Sequence, residues 1–328
     1  MSFESGTPVE WGHVASPTEI DSSKRSADFQ VGLRHGGRKR RSKFHTLSRL
    51  GSRRSGRGLK RKCGCSWRSH RYIFADMHSN SRPPEPILVT GSAGRLGLAV
   101  VTEFLRLGWD VRGFDRVATP PLPHSTVGSI TNQDLLIEAA AGARSLIHLA
   151  ATPDDADFLS ELLPNNITGL YHVMEAARLA GVRRLVLASS GQVNWFQRQR
   201  GPLPVHVNDM TTPRYWYAAT KVFMEAIGQS YAEKHGISVI VARLGWCPRD
   251  RAQAEEIAAT SWAQDVYLSP VDAGRFFAAA VAAPLDVPFS IVYATSKPRH
   301  QNYYDLTPTQ TLTGFAPAES WPTGNGFV

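Results

Sequence analysis

Tyr217 and Lys221 stand four residues apart in Tyr-Ala-Ala-Thr-Lys, at the start of an amphipathic stretch over 217–234. On a helix this spacing puts the phenol and the ammonium on one face, one turn apart. Such a pair is suited to moving a proton. The bland alternative is a packed Tyr beside a helix-surface Lys, so the pair needs company. Ser189 and Ser190 offer it, because they close the apolar run 184–188. If that run is a buried strand, both hydroxyls lie at the carboxyl edge of a sheet, where open α/β sheets bind ligands. A third group is Gly91-Ser-Ala-Gly94-Arg-Leu-Gly97. Gly91 allows a tight turn, Gly94 lets the backbone approach a pyrophosphate, and Gly97 lets helix and strand pack closely. The N-terminus of the following helix faces the anion.

These groups need a frame. Residues 86–90, Pro-Ile-Leu-Val-Thr, read as a short strand buried on both faces, apolar without alternation. They run into the glycine motif and then an apolar-periodic helix through Leu107. A second strand over 110–115 ends in Asp115, 18 residues beyond Gly97. An acid there accepts hydrogen bonds from both adenosine ribose hydroxyls and repels a 2′-phosphate, which favours NAD over NADP. Arg116 beside it is the residue that can accommodate that phosphate. Further strands are expected over 145–149, 184–188 and 238–242, with helices over 169–180 and 217–234. Strand and helix alternate, so the expected fold is α/β, a doubly wound parallel sheet of Rossmann type with a small C-terminal substrate lobe.

The whole chain carries a charge of +9, which suggests an acidic partner such as nucleic acid. That charge is not evenly spread. Residues 1–85 hold 18 of the 37 basic and 7 of the 28 acidic side chains, leaving 19 and 21 for 86–328. The arm is therefore +11 and the body −2. From Lys24 to Arg82 the arm is Arg, Ser, Gly and His with few large apolar residues, so disorder is expected. It reads as a nucleic-acid or targeting arm, as a solvated extension, or as a segment outside the working protein. The last reading is preferred, because a start at Met77 yields a compact enzyme. Nucleic acid is otherwise not expected as a partner.

The longest apolar run near the end, 276–283, is eight residues, far short of a membrane span. Acids at Glu4, Glu10, Glu19, Asp21 and Asp28 exclude a secretory signal. Three cysteines make no disulfide framework, so a reducing, cytoplasmic setting is expected. Cys63 and Cys65 have no second ligand pair, and no metal site is expected.

The glycine motif, Asn166-Ile-Thr-Gly169, Ala188-Ser189-Ser190 and Tyr217-x-x-x-Lys221 occur in the order of the extended short-chain dehydrogenase/reductase superfamily, also described as the NAD-dependent epimerase/dehydratase family. The resemblance covers about residues 86–320. Asn166 through Arg178, Lys221-Val-Phe-Met-Glu225 and Ala242-Arg-Leu-Gly-Trp-Cys247 are especially similar to uronate dehydrogenases.

What the resemblance implies is hydride transfer. Free tyrosine, with a pKa near 10, is a poor base at neutral pH. The resemblance implies that cationic Lys221 and an oxidised nicotinamide lower it. Tyr217 then takes the substrate hydroxyl proton, Ser190 aims that oxygen, and Lys221 also holds the nicotinamide ribose. Asn166 supports the Lys221 side through a water link. Arg95 and Leu96 belong to the cofactor loop, and Leu149, Ala150 and Ala151 line the cofactor by backbone. Ser129-Ile130 stands where the family has an Asp-hydrophobic pair against adenine, so Ser129 is a departure. A homo-oligomer is implied as well.

The substrate end departs further. Gly191-Gln192 stand where uronate dehydrogenases place Asn-His. Trp262 falls near their carboxylate-gripping Arg, and Pro153 near a substrate-contacting Ser. An indole there removes bidentate carboxylate recognition. Arg249 or Arg251 can supply a charge from a shifted loop, although solvated loop arginines are the plainer reading. Trp195, Phe196 and Trp262 suit either a sugar-stacking floor or ordinary core, and Cys247 reads as packing. Substrate contacts are expected mainly from 190–215 and 245–328. The expected activity is NAD-dependent oxidation of a hydroxyl on a sugar or sugar-acid-like molecule. The alternatives are a nucleotide-sugar epimerase or dehydratase, and a non-catalytic NAD(P)-sensing regulator.

Overall fold

The computed structural model describes residues 86–322. The readings of the basic arm, Met77, Cys63 and Cys65 lie outside the described residues.

Seven parallel strands form one sheet in the order β3-β2-β1-β4-β5-β6-β7. They are β1 Ile87–Thr90, β2 Val111–Asp115, β3 Ser125–Val127, β4 Ser145–His148, β5 Arg184–Ser190, β6 Ser238–Leu244 and β7 Phe289–Ala294. Parallel neighbours need crossover connections, and all but the one from β2 to β3 are supplied by helices. These are α1 Arg95–Arg106, α2 Gln133–Ala140, α3 Gly169–Leu179, α4 Trp195–Arg200 and α5 Trp216–His235. Beyond β6 lie α6 Arg251–Ala258, α7 Ser261–Asp265, α8 Pro270–Ala282 and, after β7, α9 Thr307–Thr313.

The unbroken apolar runs follow from coverage on both faces. In β1, Ile87 and Val89 face a core with Val100, Phe104, Phe276 and Phe277. Leu88 between them faces the opposite core, with Leu146, Leu170, Met174 and Leu185. Both faces are covered, so the alternation of a half-exposed sheet is missing.

Two strands were not expected. β3 has three residues and a single neighbour, β2, too short for any pattern to show. β7 adds the other edge beside β6. The stretch before α3 also differs from expectation: Phe158–Thr168 is π-helical with Pro164 inside it, and it runs straight into α3. Its wider winding turns Asn166 inward, to 2% exposure. π-helical segments concentrate at functional sites.

Candidate active site

From β1 the chain continues to β2 on one side, and β4 pairs on the other. This is the switch point where α/β sheets open a crevice at their carboxyl ends. A cavity of about 670 Å³ occupies it, within the usual range of ligand pockets.

The glycine loop forms one wall. Gly91 has φ +73°, and a Cβ there would sit 2.6 Å from the Ala150 nitrogen. At Gly97 a Cβ would sit 2.0 Å from the Gly91 carbonyl oxygen, so helix and turn touch. Gly94 is different: a Cβ would meet only that same oxygen, at 3.3 Å, and its backbone is extended. Its missing side chain leaves room for a ligand and is not required by packing. No side chain caps the N-terminus of α1. Its first N–H groups are thus available to a pyrophosphate, and the loop fits a dinucleotide. The Asp115 carboxylate accepts from the Ala93 N–H at 3.0 Å and the Arg116 N–H at 2.6 Å, which fixes it beside this loop.

Gly91, Gly94, Arg95, Leu96 and Gly97 line the cavity together with Leu149 and Ala151. Asp115, Ala150, Ser129, Ile130 and Asn166 do not. Ser129 bonds Thr131 at 2.8 Å, closing its own turn. Ile130 is 7% exposed and packs where a Cβ on Gly169 would be.

The chemistry sits on β5 and α5. Ser190 ends β5, and Tyr217 and Lys221 rise from the first turns of α5. Asp155 accepts from the Tyr217 N–H at 3.3 Å, anchoring the start of that helix. The buried Lys221 ammonium lies 5.5 Å from the centre of the Tyr217 ring and donates to the Ala188 carbonyl at 2.9 Å. Burial pulls its pKa down to about 8. Tyr217 goes the other way, pushed up to about 12, first by burial and then by the Asp154 charge. A Ser190 hydrogen bond and the Arg249 charge oppose this without reversing it. In the protein by itself, then, Lys221 does not deliver a phenolate. The expected lowering needs the oxidised nicotinamide as well as the ammonium.

Asn166 does not reach Lys221 directly. Its carbonyl accepts from the Thr152 N–H at 2.8 Å, and its amide donates to the Thr152 carbonyl at 3.1 Å and Thr220 Oγ1 at 3.2 Å. It ties the loop after β4 to the residue before Lys221. Beneath Ser190, Ser189 donates to Glu225 at 2.7 Å. Arg243 grips Glu225 with two bonds of 2.9 and 2.8 Å and donates to the Tyr293 hydroxyl at 3.1 Å. Tyr293 in turn donates to Asn194 at 2.8 Å. This buried network was missed in the sequence, because Glu225 and Arg243 are distant along the chain and read as ordinary helix and strand residues.

Gly191, Gln192, Trp262 and Pro153 all line the cavity. Gly191 has a packing reason to be glycine, since a Cβ would lie 2.5 Å from the Tyr304 hydroxyl, which donates to the Gly191 carbonyl at 3.2 Å. Of the two readings of these aromatic residues, neither anticipated a cation on them. The Arg198 guanidinium lies over both Trp195 and Trp262, at 4.6 and 4.2 Å, and Phe196 faces Arg200 instead. Arg249 lines the cavity but pairs with Asp154, and Arg251 is an exposed partner of Glu255. Arg198 was missed; its signal was the i,i+3 spacing from Trp195, which stacks a guanidinium on an indole. Cys247 is also in the wall, its thiol pushed up to about 11 by burial, as a packing residue would be. Among the described residues no cluster of metal-ligating side chains occurs, and no helix is long and apolar enough to cross a membrane.

The chain is similar to known proteins. The family model described as "NAD dependent epimerase/dehydratase family" matches residues 87–246. An L-arabinose 1-dehydrogenase (NAD(P)(+)) of Haloferax volcanii is 32% identical over 253 residues, covering 72% of this chain and 98% of that protein. An NAD-dependent glucose-6-phosphate dehydrogenase of the same organism is 27% identical, covering 72% of this chain and 94% of its own length. The solved structure of a mutated uronate dehydrogenase superposes with a TM-score of 0.62 at 25% identity, over 72% of this chain and 82% of that one. With the glycine loop on β1, the Tyr-Lys pair on α5 and a relative matched over nearly its full length, the chain belongs to the NAD-dependent epimerase/dehydratase family, the extended short-chain dehydrogenases/reductases.

Proposed function

We propose that Ser190, Tyr217 and Lys221 carry the NAD-dependent oxidation of a hydroxyl on a sugar-like substrate. The chain is an NAD-dependent dehydrogenase of the extended short-chain type, and its relatives act on an aldose, a sugar phosphate and, by name, a uronate. The observation that carries the assignment is the placement of Tyr217 against Ser190, with the Lys221 ammonium below both at the floor of the cavity.

Ser190 donates to the substrate oxygen and holds it against Tyr217. Tyr217 Oη, once ionised, accepts the hydroxyl proton as the carbon loses hydride. Bound NAD would supply the hydride acceptor and a positive charge close to the phenol. Lys221 adds a second cation from below, and its remaining N–H groups are free to hold a ribose hydroxyl. Two positive charges are needed because burial alone leaves Tyr217 near 12. Asp115 supports NAD over NADP, and Arg116 marks how readily that preference changes. Asn166 acts as a positioning residue through Thr152 and Thr220.

Association of copies in a cytoplasmic setting goes with the same reading. Exposed Leu159, Tyr171, Trp216 and Phe223 on the π-helical segment, α3 and α5 support it. The test is NADH formation by purified protein across uronates, aldose phosphates, aldoses and polyols. Oxidation of at least one, lost in Tyr217→Phe, is expected. Turnover that survives Tyr217→Phe overturns the assignment.

A further inference from the structure

Arg198 is a charged side chain at 7% exposure, in the wall of the catalytic cavity. Its partners among the described residues are two indole rings, Trp195 at 4.6 Å and Trp262 at 4.2 Å. No carboxylate pairs with it. The acids of that wall do not pair with it: Asp154 holds Arg249 and Gln253, Asp155 holds the start of α5, and Glu256 is exposed on α6. A guanidinium buried without an anion is costly, and stacking on indoles offsets only part of that cost.

Two further polar atoms of the same wall are buried without a hydrogen-bond partner among the described residues. They are the Trp195 Nε1–H, a donor, and Gln192 Oε1, an acceptor. Unsatisfied buried polar groups are uncommon in folded proteins, and two side chains of the wall around Arg198 share the condition. A second guanidinium, Arg214, lies 5.2 Å from the Trp195 ring and adds to the positive field. Arg198 itself is held in place. The indoles fix its plane, so its N–H fork is pre-ordered for a planar or tetrahedral oxyanion.

We infer that Arg198, supported by Trp195 and Gln192, is an anion subsite of the cavity and selects substrates bearing a carboxylate or phosphate. The inference rests on the sugar-oxidising reading above and deepens it. Arg198 takes two parallel bonds to the oxyanion, the Trp195 Nε1–H donates a further one, and Gln192 Oε1 accepts from a ring hydroxyl. The indole at position 262 therefore does not abolish acid recognition in this chain. It serves as one of two plates holding a guanidinium that comes from α4.

The test uses three ligands that share a ring and differ at one carbon: D-glucose, D-glucose 6-phosphate and D-glucuronate. Wild type is expected to oxidise one acidic sugar at least tenfold more efficiently than glucose, and which one it prefers separates phosphate from carboxylate. Arg198→Met is expected to lower the acidic-to-neutral ratio of kcat/KM by about 30- to 100-fold, chiefly through KM, the loss of a charge-assisted pair. Arg198→Lys restores part of it. NADH binding by each variant reports that it is folded. An unchanged ratio in Arg198→Met, or a wild-type preference for glucose, overturns the inference. If none of the three is oxidised, the oxidation reading fails for these sugars. Calorimetric titration of the NADH-loaded proteins with the same three ligands then decides the subsite: an acidic sugar bound by wild type and not by Arg198→Met supports it, and equal or absent binding overturns it.

Discussion

The Lys221 ammonium donates a 2.9 Å hydrogen bond to the carbonyl of Ala188, two residues before Ser190. One turn away on the same helix is Tyr217. A single bond between α5 and the end of β5 therefore sets the register of the two elements that carry the proton chemistry. It also gives the buried ammonium an acceptor, the Ala188 carbonyl.

That bond makes Lys221 costly to the fold and necessary to the site. Its folded pKa is about 8 against 10.5 for free lysine. The folded state binds fewer protons than the unfolded state between these values, so this group makes stability rise with pH there and lowers it by about 3 kcal/mol below pH 8. Lys221→Met is expected to melt at the same or a higher temperature at neutral pH, while kcat falls by about 10²- to 10⁴-fold. Calorimetry beside turnover checks both. A variant that is destabilised at neutral pH would contradict the sign.

Tyr217 sets the pH dependence of turnover. Burial holds the phenol near 12 in the protein alone, so the base is protonated at neutral pH until positive charge is added beside it. The rate of alcohol oxidation is expected to rise with pH from about 6 and to level off near 8, because ionised Tyr217 is the form that acts and the Lys221 charge that supports it is lost there. Tyr217→Phe is expected to lose about 10²- to 10⁴-fold in kcat and to keep NAD affinity, read by fluorescence titration.

His148 reports on acid stability. It is fully enclosed in β4, its Nδ1 2.9 Å from Thr90 Oγ1, and its pKa is lowered to about 3 by burial and then by the Lys221 charge. Between about 3 and 6.5 the unfolded chain holds a proton that the folded chain does not. Stability contributed by neutral His148 is therefore complete above pH 6.5 and is lost as pH falls through that window. His148→Gln is expected to shift the acid-unfolding midpoint to lower pH and to shallow the slope by about one proton.

The glycine loop was legible in the sequence because its chemistry is local: three glycines between a buried strand and a helix need no distant partner. The same holds for Tyr217 and Lys221, which one helix turn brings together. The strands of the interior were legible too, since burial on both faces removes polar residues from them. What the sequence left hidden depends on residues far apart in it. Glu225 and Arg243 meet only because α5 packs under β6. Arg198 meets Trp262 only because α4 and α7 converge over the cavity. Asn166 took its actual partners, Thr152 and Thr220, from a π-helical turn that no apolar periodicity announces.

The three glycines of the loop are expected to respond differently to alanine. Gly97→Ala places a Cβ 2.0 Å from a backbone oxygen, and neither the turn nor the helix can yield, so loss of both folding stability and NAD binding follows. Gly91→Ala adds a clash at 2.6 Å to an unfavourable φ of +73°. Gly94→Ala meets nothing closer than 3.3 Å and has ordinary extended backbone. It is expected to fold with a melting temperature near wild type while NAD affinity falls at least tenfold, because the methyl takes the space of the pyrophosphate. Equal losses of stability at all three positions would contradict this division.

The Glu225–Arg243 pair under Ser189 separates structure from catalysis. Both side chains are almost fully buried, at 6% and 2% exposure, and joined by two bonds. Removing one partner leaves the other charge uncompensated, so Glu225→Ala is expected to cost about 3–5 kcal/mol of stability. Glu225→Gln keeps the shape and one acceptor. In that variant Ser189 still has an oxygen to donate to, while Arg243 loses its counter-charge. If the network serves to hold the β5 end beneath Ser190, Glu225→Gln should lower kcat with KM for NAD unchanged, because the nucleotide loop lies on β1, two strands away in the sheet order β1-β4-β5. Chemical denaturation beside steady-state kinetics distinguishes the two effects. A fall in stability with kcat intact would assign the pair to folding alone.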